Sequence, residues 1–130
     1  MTFVDRATRC ILSWRVVWTR TGTVVQEMVH ESVQGQRYFS DGLDVYQTAL
    51  YWPAVHHPME DKSETFSVEG DNAELRHYLA RLARRSRCFS RCQKALTNSV
   101  KLFVFAFNRR QLARQRFPAY PHHIINYVYP

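Results

Sequence analysis

Residues 68–86 have the sequence VEGDNAELRHYLARLARRS, and their spacing predicts an amphipathic helix that continues to about Arg87. The apolar stripe of this helix consists of Val68, Leu75, Leu79 and Leu82. The neighbouring stripe carries Glu69, Asn72, Arg76, Ala80 and Ala83, and the outer face carries His77, Arg81, Arg84 and Arg85. The stretch therefore predicts a helix that is packed on one side and basic on the other.

Two strand candidates precede this helix at the start of the chain. Residues 2–5 form a short one, and residues 10–19 alternate between apolar and polar side chains. The alternation puts one set on an apolar face, namely Cys10, Leu12, Trp14, Val16 and Trp18. Ser13, Arg15 and Thr19 lie on the opposite, polar face. A period of two with one polar face predicts a half-exposed strand, so the two segments indicate a hairpin.

The middle of the chain predicts alternating helix and strand. A helix is expected from Thr23, with Gln26 at the capping-box spacing and a buried stripe of Val25, Met28, Val29 and Val33. A short strand is expected over residues 37–40, ending at the turn Asp41-Gly42. Residues 43–52 predict a short helix, and the polar residues 53–66, with two prolines, predict a loop.

The last third predicts a second long helix and an irregular tail. Residues 93–110 are expected to form a helix that is apolar on all sides through Leu102–Phe107, and therefore buried. A hairpin, a helix, a strand and further helices favour an α/β architecture. We expect one domain over residues 1–116, followed by an extended Pro/Tyr-rich tail over residues 117–130.

Charge is divided unevenly along the 130 residues. Residues 1–65 carry six Lys/Arg and eight Asp/Glu, whereas residues 66–130 carry twelve Lys/Arg and three Asp/Glu. Ten of those twelve cations are Arg, whose planar fork suits phosphate oxygens. This division indicates a nucleic-acid partner. The alternative is that solvated helix faces and a high-GC genome account for the arginines.

Other features limit the class of protein. The longest apolar run has six residues, Leu102–Phe107, whereas a membrane span needs about 18. Asp5 and Arg6 stand where a secretory signal would need apolar residues. Three widely placed cysteines do not indicate a disulfide framework, so we expect a reducing, cytoplasmic setting.

Two carboxylates are candidate metal ligands. Asp41 follows a predicted strand, at the kind of strand end where α/β active sites gather, and Glu69 lies on the first turn of the basic helix. Together they could hold Mg²⁺ (or Mn²⁺), which prefers hard oxygen ligands. The alternatives are that Asp41 is a turn residue before Gly42 and that Glu69 complements a helix N-terminus.

Glu69, Asn72 and Arg76 share one face of the predicted helix. A carboxylate, an amide and a guanidinium on one face suit a phosphodiester at a metal site. A solvated polar stripe is the alternative. The remaining candidates for phosphate contact are the basic residues Arg81, Arg84, Arg85, Arg87 and Arg91.

The same helix resembles a signature of the insertion-sequence-one family of bacterial transposases. The family pattern is Ile/Val-Glu-x-x-Asn-x-x-Leu-Arg, then a run close to Leu-Ala-Arg-Leu-x-Arg-Lys-Ser/Thr, and it continues into Phe-Ser-Lys. Residues 68–86 match the first two parts, and Phe89-Ser90-Arg91 matches the third. Ser40-Asp41-Gly42 with Tyr46 resembles the family's Thr-Asp-Gly-x-x-x-Tyr. Residues 3–6 and 11–17 resemble the family's second and third strands.

This resemblance implies a ribonuclease-H-like fold, a mixed sheet flanked by helices, with an Asp-Asp-Glu metal site. The family's second Asp corresponds to Asp41 and its Glu to Glu69, with Asn72 and Arg76 as helix companions. The implied activity is metal-dependent DNA cleavage and strand transfer during transposition. The implied partners are insertion-sequence ends and target DNA, and further copies of the chain when full length. The implied location is the bacterial cytoplasm, at the nucleoid when DNA is bound.

One departure from the family concerns its first Asp. That residue lies on the family's first strand, which would fall before Met1, so we expect the first strand to be missing and the chain to be an inactive remnant. A competing hypothesis makes Asp5 a substitute ligand. Another is a non-catalytic DNA-binding or oligomerising fragment that modulates a full transposase. A third is a basic structural protein whose motif matches arose by chance.

Weaker patterns favour structural roles. Cys88 and Cys92 with His77 lack the second ligand pair of a structural zinc site. The pairs His56-His57 and His122-His123 are expected in loops. The aromatic side chains Trp14, Trp18, Phe103, Phe105 and Phe107 are core candidates before they are base-stacking platforms.

Overall fold

The computed structural model describes residues 1–59, 66–79 and 91–129, and it is a mixed α/β structure. Four strands are present: β1 (Thr2–Val4), β2 (Ile11–Trp14), β3 (Arg37–Asp41) and β4 (Val55–Met59). The helices are α1 (Gly22–Glu31), α2 (Asp44–Gln47), α3 (Phe66–Tyr78) and α4 (Gln93–Arg116), followed by a 3-10 turn, η1 (Ile124–Tyr127). The α/β class predicted from the sequence is confirmed.

The strands form two separate two-stranded sheets. β1 pairs with β2, and Met1 and Arg15 exchange both backbone hydrogen bonds at 2.9 and 3.0 Å. Near the turn, the amide of Asp5 donates to the Cys10 carbonyl at 2.9 Å, so the pair is the expected hairpin. β3 pairs with β4 in parallel, in the register Arg37↔Val55 to Asp41↔Met59. A parallel pair needs a crossover connection, which residues 42–54 and the single turn of α2 provide.

The chain divides into two compact units. The first contains residues 1–3 and 12–70, and the second contains residues 4–11 and 71–130. The first unit is built on a cluster of Val25, Ala49 and Tyr51. Around this cluster pack Met1, Phe3, Val29, Tyr38, Val45, Tyr46 and Ala54.

The second unit is built on α4. Its buried apolar side chains include Leu75 of α3 and Ile124 of η1, with Cys10 and Ile11 from the start of the chain. From α4 itself they are Leu96, Val100, Phe103, Val104, Ala106 and Phe107. The rings of Phe103 and Phe107 stack with their centroids 5.5 Å apart. α4 runs to Arg116, six residues beyond the predicted end, because neither glycine nor proline interrupts it before Pro118.

The sequence prediction assigned the wrong side chains of β2 to the buried face. Ile11 and Ser13 are buried while Leu12 is exposed, which is the reverse of the predicted alternation. The strand also ends at Trp14, so residues 15–19 do not continue it. A shift of one residue along a strand exchanges its two faces. Here the exchange buries the small Ser13, whose hydroxyl has no hydrogen-bond partner within the described structure.

The prediction for α1 was partly wrong. Thr21 is the N-cap rather than Thr23, and Val33, which is 73% exposed, lies beyond the end of the helix. Val25 and Met28 are fully buried, as predicted. Gln26 does not cap the helix. Its Oε1 accepts from the Leu50 amide at 2.7 Å and its Nε2 donates to the Leu50 carbonyl at 3.2 Å.

Three further predictions were wrong. Residues 53–66 were expected to be a loop, but residues 55–59 form β4 despite Pro58. Pro58 is tolerated in this strand because a proline lacks only the amide donor and is found in edge strands. Residues 102–107 were expected to be buried on all sides, but Leu102 is 52% exposed and Phe105 is 46% exposed. The tail was expected to be extended, but it contains a turn, in which the Tyr120 amide donates to the Phe117 carbonyl at 3.1 Å, and then η1, which packs against α4.

The described residues contain no helix with the length and apolar character that crossing a membrane requires.

Candidate active site

Asp41 is the last residue of β3, as the sequence predicted, and its side chain is exposed. Its Oδ1 accepts a long hydrogen bond, 3.4 Å, from the amide of Leu43. This contact is the turn role that was the alternative for Asp41. It is weak at this distance, so the carboxylate remains accessible for another interaction.

Beside Asp41, Ser40 and His56 form a cross-strand pair. The Ser40 hydroxyl donates to the Asp41 carbonyl at 2.9 Å, and Ser40 Oγ lies 2.9 Å from His56 Nε2. Because the single hydroxyl proton points to the carbonyl, His56 Nε2–H is the donor to Ser40. The imidazole stacks on Tyr51 with ring centroids 4.3 Å apart. This pair holds the strand end that carries Asp41.

Burial lowers the pKa of His56 below its ordinary value of 6.5, and the charge of His57 lowers it further. The imidazole beside Ser40 is therefore neutral at pH 7, which matches its single Nε2–H donor. Burial also favours the neutral form of Tyr51, whose pKa it raises because the charged form of a tyrosine is the deprotonated one. Desolvation, aided by Tyr46 and Tyr38, raises the pKa of Tyr51 to about 12. His56 and Tyr51 are thus both uncharged at pH 7.

Glu69 and its helix companions lie on α3, where the sequence placed them. Glu69 is in the first turn and exposed, Asn72 is half-buried, and Arg76 is exposed. The three-residue and four-residue spacings keep them on one face of a helix. A carboxylate in a first turn also interacts favourably with the helix dipole, which was the alternative for Glu69.

Asp41 and the start of α3 are related by their order along the chain and by the sheet. Because β3 and β4 are parallel, their carboxyl ends lie at the same sheet edge, and Met59, the last residue of β4, is the partner of Asp41. After β4, the next helix in the described part of the chain is α3, whose first residue is Phe66. Asp41 and Glu69 also belong to the same compact unit.

The donor chemistry of Asp41 and Glu69 fits a divalent cation, since both are exposed carboxylates with hard oxygen atoms. Within residues 1–59, 66–79 and 91–129, no three His, Cys, Asp or Glu side chains gather closely enough to hold a metal ion.

Asp5, the proposed substitute ligand, takes part in the β1–β2 turn. Its Oδ2 accepts from the Thr8 amide at 2.8 Å and from the Thr8 hydroxyl at 2.6 Å. These hydrogen bonds lower the pKa of Asp5 from its usual 3.8, because they favour the ionised form. Asp5 is therefore a carboxylate whose structural role is to close this turn.

The candidate phosphate contacts are only partly described. Arg76 and Arg91 are exposed. Arg81, Arg84, Arg85 and Arg87 lie outside the described residues, as do Leu82 and Cys88. Cys92 is exposed and forms no disulfide bond within the described residues, and His77 is exposed with its ring against Tyr78.

Sequence reasoning missed a buried charge network in the second unit. Asp71 is 6% exposed and pairs with Arg9 at 3.0 Å, while Arg110, 4% exposed, pairs with Glu74 at 2.6 Å. Burial raises the pKa of Asp71, although its hydrogen bond to Arg9 works against this shift. The signal was present, because Asp71 stands four residues before the buried Leu75 and thus on its face of the helix.

Comparison with known proteins identifies no relative: no family model matches the chain, and neither a curated protein nor a solved structure matches it.

Proposed function

We propose that the chain is the catalytic core of an insertion-sequence transposase, or a remnant of one, that acts on DNA by metal-dependent strand cleavage and strand transfer. The observation that carries the proposal is the placement of two exposed carboxylates. Asp41 ends a parallel strand, and Glu69 lies in the first turn of α3, which comes after the neighbouring strand in the chain. In α/β proteins, ligands bind at the carboxyl ends of parallel strands.

The order of elements supports a ribonuclease-H-like fold for this core. A hairpin, a helix, a parallel pair joined by a crossover and then further helices follow one another along the chain. The hairpin falls on the residues that resemble the family's second and third strands. Asp41 and Glu69 fall on the end of β3 and the first turn of α3, where the resemblance expects the second Asp and the Glu.

Each residue has a role in this proposal. Asp41 and Glu69 hold the divalent cation, which when bound stabilises the charge that develops on the scissile phosphodiester. Asn72 and Arg76 orient the DNA backbone through an amide and a guanidinium on the same helix face. Ser40 and His56 brace the carbonyl of Asp41 and so restrict the motion of its carboxylate.

Nicking of supercoiled plasmid DNA and of single-stranded DNA with Mn²⁺ tests this proposal. A working catalytic core predicts nicking by the unmodified chain and its loss in Asp41→Asn and in Glu69→Gln, whereas an inactive remnant nicks DNA in none of the three. Asp44→Asn and Glu27→Gln are the matched controls, since both change exposed carboxylates of the first unit. Equal nicking by Glu69→Gln and the unmodified chain would exclude Glu69 as a ligand.

The same experiment separates cleavage from binding. DNA that is bound in a salt-sensitive manner but never nicked would favour a non-catalytic fragment that modulates a full transposase. Charge reversal at Arg81, Arg84 and Arg85 is expected to weaken binding to all DNA sequences and to flatten the salt dependence. Unchanged binding in this triple variant would remove these three arginines from the proposal.

A further inference from the structure

We infer that the exposed face of α4 binds single-stranded nucleic acid, with Lys94, Lys101 and Arg116 at phosphates and Phe105 stacked on a base. At 100° per residue, these four side chains and Leu112 project within about 60° of one another around the helix. All five are exposed. They form one line along the helix, about 33 Å long, which we call the α4 stripe.

The charged residues of α4 are all positive. Its 24 residues contain six Lys or Arg and no Asp or Glu. Glu74 neutralises Arg110 in the interior, and Arg109 donates to the carbonyls of Tyr127 and Tyr129 in the tail. Within the described structure, Lys94, Lys101 and Arg116 form no ion pair, so the stripe presents uncompensated positive charge.

Phe105 supplies the aromatic part of the surface. It lies between two helix neighbours, Phe103 and Phe107, that are both buried, yet it is itself 46% exposed. The guanidinium of Arg109 lies over its ring, 5.2 Å from the centroid. Cations in line with an exposed aromatic ring are the combination with which proteins bind single strands, because every base offers a flat face to stack on.

An acidic amphipathic peptide fits this face less well. A docking helix needs a continuous apolar seam with neighbours three, four and seven residues apart. On α4 the exposed apolar residues are Leu102, Phe105 and Leu112, and the seam is interrupted by Arg109 between them. Cations at both ends of the stripe instead match a chain of regularly repeated phosphates.

This inference extends the proposed function but requires neither a metal ion nor cleavage. We would measure fluorescence anisotropy of a labelled dT20 oligonucleotide with the full chain in EDTA, across a series of salt concentrations. We expect Phe105→Ala to weaken binding about tenfold, as loss of one stacked base does. Phe117→Ala, which removes an exposed ring just beyond α4, is the matched control and is expected to bind normally.

Phe105→Leu separates stacking from apolar contact. It keeps an apolar side chain of similar size, so the fold is preserved, and circular dichroism checks this in each variant. We expect it to bind dT20 as weakly as Phe105→Ala.

The double change Lys94→Gln/Lys101→Gln is expected to reduce the log–log salt slope by about 1.4, because two phosphate contacts are lost.

Three results would overturn the inference. They are normal dT20 binding by Phe105→Leu, an unchanged salt slope in the double lysine variant, and tight binding of an acidic helical peptide that displaces dT20 and tolerates Phe105→Leu. The outcome is distinguishable from that of the proposed function. If the chain binds dT20 through Phe105 but never nicks DNA, only the proposed cleavage activity is contradicted. If nicking depends on Glu69 and Phe105→Leu binds dT20 normally, only the role of α4 is contradicted.

Discussion

The side-chain amide of Asn108 makes with Ile11 both hydrogen bonds that a neighbouring strand would make. Asn108 Oδ1 accepts from the Ile11 amide at 2.7 Å, and Asn108 Nδ2 donates to the Ile11 carbonyl at 2.8 Å. Ile11 is 3% exposed, so water cannot replace these partners. A side chain of α4 therefore provides the hydrogen-bond partners for the backbone of the first residue of β2, 97 positions earlier in the chain.

Replacing Asn108 by Ala is expected to lower the free energy of unfolding by about 2 kcal/mol, because it leaves a buried donor and a buried acceptor without partners. Asn98→Ala is the matched control, since Asn98 is exposed on the same helix and the change in helix propensity is equal. Urea denaturation of the two variants measures the difference. Equal midpoints would show that the Asn108–Ile11 pair contributes nothing to stability.

The free energy of unfolding is expected to fall by different amounts when Glu74 and when Arg110 is removed from their ion pair. Glu74→Gln leaves the buried Arg110 guanidinium without its counterion and should cost about 3 kcal/mol. Arg110→Met should cost less, because Glu74 is partly exposed and stays hydrated. In Arg110→Met/Glu74→Gln most of the loss should be recovered. Thermal or urea unfolding of the three variants measures this order, and a greater loss in Arg110→Met would contradict it.

Asp71 and Asp5 are expected to make opposite contributions to the pH dependence of stability. Burial raises the pKa of Asp71, so the folded chain binds its proton more tightly than the unfolded chain does. Stability relative to Asp71→Asn should therefore fall as pH rises from 3.8 through the raised pKa, and then level off.

The pKa of Asp5 is lowered by its hydrogen bonds with Thr8, so its contribution has the other sign. Stability relative to Asp5→Asn should be complete above pH 3.8 and should be lost as pH falls through the lowered pKa. Urea unfolding of the three proteins between pH 2 and pH 7 measures both differences. Parallel curves for the two variants would contradict the assignment of these shifts.

His56 is expected to be a neutral Nε2–H tautomer with a pKa below 6.5. Because the neutral form is favoured in the fold, stability should decrease as pH falls from 6.5 through the lowered pKa. Nitrogen-detected NMR of the imidazole measures both the tautomer and the titration. In Ser40→Ala the Nε2–H loses its acceptor, and we expect the tautomer preference to weaken. A protonated imidazole at pH 7 would contradict the Ser40–His56 geometry.

The short-range patterns predicted several elements because their causes are local. The turn at Asp41-Gly42 ends β3, and the stripe of Val25 and Met28 marks the buried side of α1. Glu69, Asn72 and Arg76 lie on α3 because their spacing depends only on the helical period. β4 was missed because its residues Val55–Met59 show no alternation, and their strand conformation depends on pairing with β3.

The sequence by itself determined the α/β class, the strand end at Asp41, the helix that carries Glu69 and the one-sided charge of the second half, since these depend on spacing and composition. Tertiary structure decided that Ser13 and Asp71 are buried, that Gln26 holds Leu50 and that Asn108 completes β2 at Ile11. It also left Phe105 exposed between two buried rings. The physical reason is that burial depends on which segment packs against each face, and such segments are distant in the chain: Ile11 and Asn108, for example, are 97 positions apart.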